Sequence, residues 1–194
     1  MVEILQKNLQ RTLGSSIPNE LIDLLVKYSF QKSFDKKELL AEAGVDCKYQ
    51  YFILEGSAYS FYVNDKGEKN VIQLAIEEYW ITDAASYFTG KPAVATIETL
   101  EPTTALLINR KDYDKLCCSH PLFDKFFRIL MQNALASLHQ RIAKTISEEA
   151  ELRYREFSEK YPHFIQRIPQ YLIASYLGIR PQSLSRIRKN IFQK

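Results

Sequence analysis

Catalytic and cofactor chemistry is thinly supplied in this 194-residue chain. It has three cysteines, Cys47, Cys117 and Cys118, and no CxxC pair. A sparse, odd-numbered set reads as reduced thiols, not as a disulfide scaffold. It also falls short of the four thiolates that a protein-held iron–sulfur cluster normally needs. The three histidines are His120, His139 and His163, so residues 29–110 contain none. That stretch therefore lacks the clustered inward ligands of a metal-dependent β-roll enzyme, and an axial histidine for haem. Neither a Ser/His/Asp set nor a Gly-rich phosphate loop is present. No enzymatic activity, metal or cofactor is expected. No run of eighteen apolar residues exists, so no membrane helix is expected either. The leading MVEILQKNLQRTLG is amphipathic, carries Glu3 and lacks the apolar h-region of a signal peptide, which points to the cytoplasm.

One further absence is informative by its position. From Lys160 to Lys194 there is no Asp or Glu, against seven Lys or Arg. Residues 151–194 carry nine basic and three acidic side chains, a net +6, whereas residues 1–150 carry seventeen and twenty, a net −3. Such a split is the electrostatic footprint of a segment that meets a polyanion. The apolar share of 46% suits a globular chain with a core, in one domain or two small ones.

Read in order, residues 2–13 and 18–28 have helical spacing, with Leu21, Leu24, Leu25 and Tyr28 in one stripe and Pro18 suited to a first turn. From Ser29 to Arg110 the pattern becomes short runs rich in Tyr, Phe, Val, Ile and Thr. Candidate strands are Phe30–Phe34, Glu38–Ala41, Tyr49–Leu54, Ala58–Val63, Asn70–Ala75, Thr96–Leu100 and Ala105–Asn109. Asn64-Asp65-Lys66-Gly67 marks the strongest hairpin, and the spacing suggests a small antiparallel barrel or jelly roll. Helix returns near Lys111. After His120-Pro121 the longest helix runs from about Leu122 to Ile146. Phe123, Phe127, Leu130, Ala134, Leu138 and Ile142 keep helical spacing there, and Phe126, Met131 and Leu135 widen the stripe. A helix apolar around so much of its girth needs more than one partner surface. One is the β region; the other is expected to be a second copy of the same helix. A charged helix follows over 148–160, then a short connection over His163–Arg167.

The segment PQYLIASYLGIRPQSLSRIRK, Pro169 to Lys189, reads as two short helices and a tight turn. Ile173, Ala174 and Leu177 share a face of the first, and Leu184 and Ile187 a face of the second. Gly178 stands where a helix ends in a left-handed residue, and Pro181 where a new helix begins. This is the helix-turn-helix arrangement, whose second helix enters the major groove of DNA. Gln182, Ser183, Ser185, Arg186, Arg188 and Lys189 would then face outward. Arg pairs with guanine and Gln with adenine, while Arg188 and Lys189 suit phosphates. An ordinary helical hairpin with a solvated basic face is the plainer alternative.

The order β-roll, long helix, helix-turn-helix resembles the Crp/Fnr family of bacterial transcription regulators, over nearly the whole chain. ASYLGIRPQSLSRIRK is similar to that family's recognition segment. YFILEGSAYSFYVNDKGEKNVIQLAIEEYWI, with Leu54-Glu55-Gly56 at a turn, is similar to its cyclic-nucleotide-binding sensor core. The resemblance implies an α+β chain with three parts. These are a β-roll or jelly-roll sensor with N-terminal helices over 1–118, a long dimerisation helix over 119–147, and a helix-turn-helix with a reduced wing over 148–194. It implies a homodimer, double-stranded DNA and RNA polymerase as partners, and leaves the small-molecule effector, if any, open. The dimer residues would be Phe127, Leu130, Ala134, Leu138 and Ile142.

Carried over residue by residue, the base-reading positions fall on Pro181, Gln182 and Arg186, so the preferred DNA site should differ from that of the best-known members. Arg180 occupies the N-cap position, at a cost of about 1 kcal/mol unless it meets a phosphate. The ligand segment falls on EYWITDAASYFTGKPAVATIETLEP. Thr82-Asp83-Ala84 replaces the family's Gly-Glu-Leu, and Pro92 to Ala95 holds no Arg, leaving Lys91 as the nearest cation. A buried phosphate without a cationic partner is strongly unfavourable, so tight cyclic AMP binding is not expected. The effector-pocket candidates are Tyr59, Phe61, Trp80, Asp83, Ala84, Ala85, Lys91 and Val94. The aromatic residues among them, with Tyr79, Tyr87 and Phe88, read either as core or as a box for an apolar effector. The alternative to a DNA-binding regulator is a sensor or adaptor of the same fold acting through protein contacts.

Overall fold

A computed structural model describes residues 1–192. Two helices lead, α1 (Val2–Leu13) and α2 (Asn19–Lys27). Eight strands follow: β1 (Phe30–Phe34), β2 (Leu39–Ala41), β3 (Tyr49–Glu55), β4 (Ala58–Val63), β5 (Lys69–Ala75), β6 (Trp80–Ile81), β7 (Thr96–Thr99) and β8 (Thr103–Asn109). A short helix, α3 (Ala84–Thr89), separates β6 from β7. The chain then continues as α4 (Arg110–Ser119), α5 (Pro121–Ser147), α6 (Ala150–Lys160), α7 (Pro162–Arg167), α8 (Gln170–Tyr176) and α9 (Pro181–Phe192).

The strands pair antiparallel into two sheets, ordered β1-β8-β3-β6 and β2-β7-β4-β5, which makes the expected β-roll. The β4–β5 hairpin closes where expected. Asn64 Oδ1 accepts from the Lys66 and Glu68 N–H groups, and Gly67 takes φ 77°. Opposite Ser60 and Phe61 the register slips, leaving Ile72 as an extra residue on β5, the outermost strand of its sheet. Between the sheets, Phe34, Tyr51, Ile53, Ala58, Ile81, Ile97, Ala105 and Leu107 form one buried cluster, so side chains fill the interior of the roll.

Two other clusters flank it. Leu5, Leu9, Ile22 and Leu25 of the N-terminal helices pack with Phe52, Leu106, Leu116, Phe123, Phe126 and Phe127. On the opposite side, Tyr59, Phe61, Val71, Leu74 and Ile76 of the roll share a cluster with Tyr154, Phe157, Phe164, Leu172 and Ile173 of the C-terminal helices. The two halves of the chain are thus joined by a common apolar seam.

His163–Arg167, read from sequence as a connection, belongs to helix α7. Pro162 occupies its first turn, where a missing N–H costs nothing, so the proline starts a helix there. The reduced wing takes an extreme form: no strand occurs among the described residues after Asn109.

Candidate nucleic-acid interface

The α8–α9 pair is built as its sequence pattern requires. Leu172, Ile173 and Ala174 of α8, Leu177 and Ile179 of the turn, and Leu184 and Ile187 of α9 are all buried. Gly178 takes φ 65°, and the N–H of Ile179 reaches back to the Ala174 carbonyl at 2.8 Å while that of Gly178 donates to Ser175 at 3.1 Å. That is a Schellman ending, which fixes the turn. The Arg180 carbonyl accepts from Leu184 N–H at 3.0 Å, so Arg180 does stand at the N-cap of α9. Arginine has no acceptor with which to cap it.

With Leu184 and Ile187 turned inward, Arg180, Gln182, Ser183, Ser185, Arg186 and Lys189 all emerge exposed, and Arg188 is half-buried. Three of these seven expected contact residues carry neutral donors and acceptors and four carry positive charge. Between the first turn of α8 and α9 lies a cleft of about 530 Å³, lined by Gln170, Tyr171, Pro181, Leu184, Ser185, Arg188 and Lys189. Gln170 and Tyr171 were not singled out in the sequence. Tyr171, in the first turn of α8 two residues after Pro169, is 58% exposed.

The carbonyls that end α8 are held from outside the pair. Arg141 of α5 donates to the Tyr176 carbonyl at 3.0 Å, and Arg153 of α6 to those of Leu177 at 3.1 Å and Gly178 at 3.3 Å. Cations at this end also oppose the helix dipole. Arg167 of α7 pairs with Glu77 and with Glu101, the latter at 2.6 Å, and so ties the helical region to loops of the roll. Burial pushes the Glu101 carboxyl up, but bonds from the Ser57 hydroxyl and the Arg167 guanidinium outweigh it and leave the group below its ordinary value.

The expected effector pocket does not form as one site. Tyr59 and Phe61 alternate with Ala58 and Ser60 along β4, and they face the C-terminal helices instead of the roll interior. Trp80 packs on Phe52, Phe126 and Phe127, and its Nε1–H donates to Asn8 Oδ1 at 3.1 Å, on the side of the N-terminal helices. Ala85, Lys91 and Val94 are exposed, Val94 to 71%, and Ala84 is half-buried at the start of α3. Asp83 is buried and caps α3. Its Oδ1 accepts from Ser86 N–H at 3.0 Å, and its Oδ2 from the N–H groups of Val94 and Ala95, each at 3.0 Å. The donors of this turn are thus satisfied by a carboxylate of the chain itself.

The dimer stripe also divides. Phe127 is only 2% exposed, inside the cluster with Phe123, Phe126 and Trp80, so it stabilises the fold and is no surface contact. Leu130 is half-buried against the same cluster. Beyond it one side of the helix faces the C-terminal helices, through Arg141 and Lys144, and the other side is uncovered. Ala134, Leu138 and Ile142 are exposed, together with Met131, Leu135 (54%) and Ile146 (82%). Met131, Leu135, Leu138 and Ile142 are spaced four, three and four residues apart, the repeat of a coiled-coil seam.

Among the described residues no helix is long and apolar enough to cross a membrane, and no group of three or more His, Cys, Asp and Glu is placed to hold a metal ion. Residues 31–120 match the cyclic nucleotide-binding domain family. No curated protein matches the sequence. Among solved structures, FixK2 from Bradyrhizobium japonicum is similar with a TM-score of 0.73, at 14% identity over 85% of this chain and 85% of that one. CLP from Xanthomonas campestris, a c-di-GMP-responsive global regulator, superposes with a TM-score of 0.65, at 12% identity over 91% and 92% of the two chains. The catabolite activator protein of Thermus thermophilus gives 0.59, at 17% identity over 94% and 87%.

Proposed function

We propose that this chain, which has a cyclic nucleotide-binding domain and the fold of Crp/Fnr regulators, is a DNA-binding transcription regulator that works as a homodimer without an anionic effector. The observation that carries the reading is the pose of α9. Its apolar residues are sunk, while Gln182, Ser183, Ser185 and Arg186 stand on the open side with Arg180 and Lys189 at the flanks. Gln182 and Arg186 present bidentate groups to base edges in a major groove. Arg180, Lys189 and Arg188 hold phosphates, and Gln170 and Tyr171 meet the same backbone across the cleft. Division into a sensor-type roll over 1–118, a dimer helix over 119–147 and a DNA-binding part over 148–194 follows from these roles.

Dimerisation rests on Met131, Leu135, Leu138 and Ile142. Burying the half of each side chain that is still exposed contributes roughly 1 kcal/mol apiece, which favours pairing over exposure to water. Two copies then present two α9 helices to a two-fold-related DNA site.

The roll is read as a scaffold. An effector phosphate at the Val94 and Ala95 amides would have to displace the Asp83 carboxylate that already takes them. With no arginine in Pro92 to Ala95 it would also meet a buried like charge and no counter-charge. Cyclic AMP should therefore not bind tightly, and micromolar affinity in titration calorimetry would overturn this part. The regulatory reading as a whole is tested by gel shift against genomic fragments at two salt concentrations. Specific retardation that weakens steeply with salt is expected. Its absence at low salt would favour a protein-contact adaptor.

A further inference from the structure

The regulatory reading leaves open what sets the direction in which α9 points, and Arg141 stands where that is decided. It lies on α5 beside Ile142 of the exposed seam. One arm of its guanidinium, Nη1, donates to the Tyr176 carbonyl of α8 at 3.0 Å, and the other, Nη2, to the Ile72 carbonyl of β5 at 3.1 Å. The same group lies 4.5 Å from the centroid of the Tyr176 ring. A single side chain therefore ties together the long helix, the rim of the roll and the helix that precedes the recognition helix.

Each partner is prepared for this. Ile72 is the extra residue of the β5 bulge, so its carbonyl is left without a ladder partner. Beside it, Ser175 of α8 accepts from Val71 N–H at 3.0 Å and donates to the Lys69 carbonyl at 3.2 Å, covering the open rim of the sheet. An uncovered rim of this kind would otherwise invite other chains. Tyr176 is half-buried against Phe157, and burial pushes its phenol up. A fork with two donors and a flat face fits this geometry. A lysine ammonium reaches one carbonyl and has no plane to stack.

We infer that Arg141 is a positioning residue: it sets the angle between the dimer helix and the helix-turn-helix, and through that angle the distance between the two half-sites a dimer can read. The inference rests on the DNA-binding reading for its consequence, but the joint itself can be tested without DNA.

The test uses the full chain with Arg141→Ala, Arg141→Lys and Ser175→Ala. Hydrogen exchange of the free protein should quicken over residues 69–75 and 170–179 in Arg141→Ala, while the N-terminal helices and β3–β8 keep their protection. Arg141→Lys should restore protection only in part. In a pool of duplexes with two half-sites at varied spacing, the wild type should favour one spacing. Arg141→Ala should lose about tenfold of that preference or more, with the bases chosen within each half-site unchanged. Full rescue by lysine, or unchanged exchange and spacing in Arg141→Ala and Ser175→Ala alike, would overturn the inference. Should Arg141→Ala fail to fold, the same two readouts on Ser175→Ala and Arg141→Lys decide it. Faster exchange at 69–75 in a protein whose wild type binds no DNA would uphold the joint and remove the DNA reading.

Discussion

Two sets of hydrogen-bond donors in this molecule have opposite fates. Around Asp83, the N–H groups of Ser86, Val94 and Ala95 converge on one point, and a carboxylate of the same chain occupies it. Along α9, Gln182, Ser185, Arg186 and Lys189 diverge into open space. The convergent donors are already satisfied. What remains available for a polyanion is the second set. Satisfaction of donors, not their number, separates the turn around Asp83 from the open face of α9.

Exchanging the two roles gives the sharpest tests. Asp83→Ala leaves three N–H groups unpaired in a buried turn and should cost about 3 kcal/mol or more. A drop in Tm of roughly 6–12 °C is expected by calorimetry. Added sulfate should then raise the Tm of the variant by more than that of the wild type, which gains only the general stabilisation this salt gives any folded protein; equal responses would break the contrast. If the proposed pairing holds, Leu138→Asp with Ile142→Asp should leave the chain monomeric in sedimentation with an unchanged circular dichroism spectrum, because both residues are exposed in a single chain, and its Tm should lose its dependence on protein concentration. Arg186→Ala should weaken DNA binding by about 1–3 kcal/mol, with an unchanged Tm. Lys189→Ala should weaken all sequences alike and reduce the salt slope by about one.

The smallest effect concerns pH. Because the Glu101 carboxyl sits below its ordinary value near 4.5 when folded, its contribution to stability is complete above that pH. It fades as the pH falls through the lower folded value. Arg167 stays charged throughout, so its tie to Glu101 should loosen only in acid. Faster exchange of residues 162–167 once the pH falls below the ordinary carboxylate range, lost in Glu101→Gln, is the expected sign. The group is partly exposed, so the change should be modest.

Much of this fold was legible because its signals are local. Strand runs with turn residues between them placed β1 and β4 to the residue, and Gly178 with Pro181 marked both ends of the turn before α9. Misreadings arose where a contact joins distant residues or where a face had to be chosen. Tyr59, Phe61 and Trp80 were assigned to a pocket because aromatic density marks burial but not the side of the sheet. Phe127 and Ile142 share one periodic stripe, yet the first meets the roll and the second meets water. Spacing does not say which side of a long helix is covered along its length. His163–Arg167 reads as a connection because a proline such as Pro162 suits both the end of one helix and the start of the next. Arg141, Arg153 and Arg167 escaped notice since their partners lie up to 90 residues away in sequence.

Selection from a pool of randomised duplexes, using the full-length protein, tests the role of α9 most directly. The enriched sequences should form a two-fold-related pair of half-sites, and Arg186→Ala should relax one position in each. A pool that shows no enrichment, or an enriched motif identical for wild type and Arg186→Ala, would contradict the account.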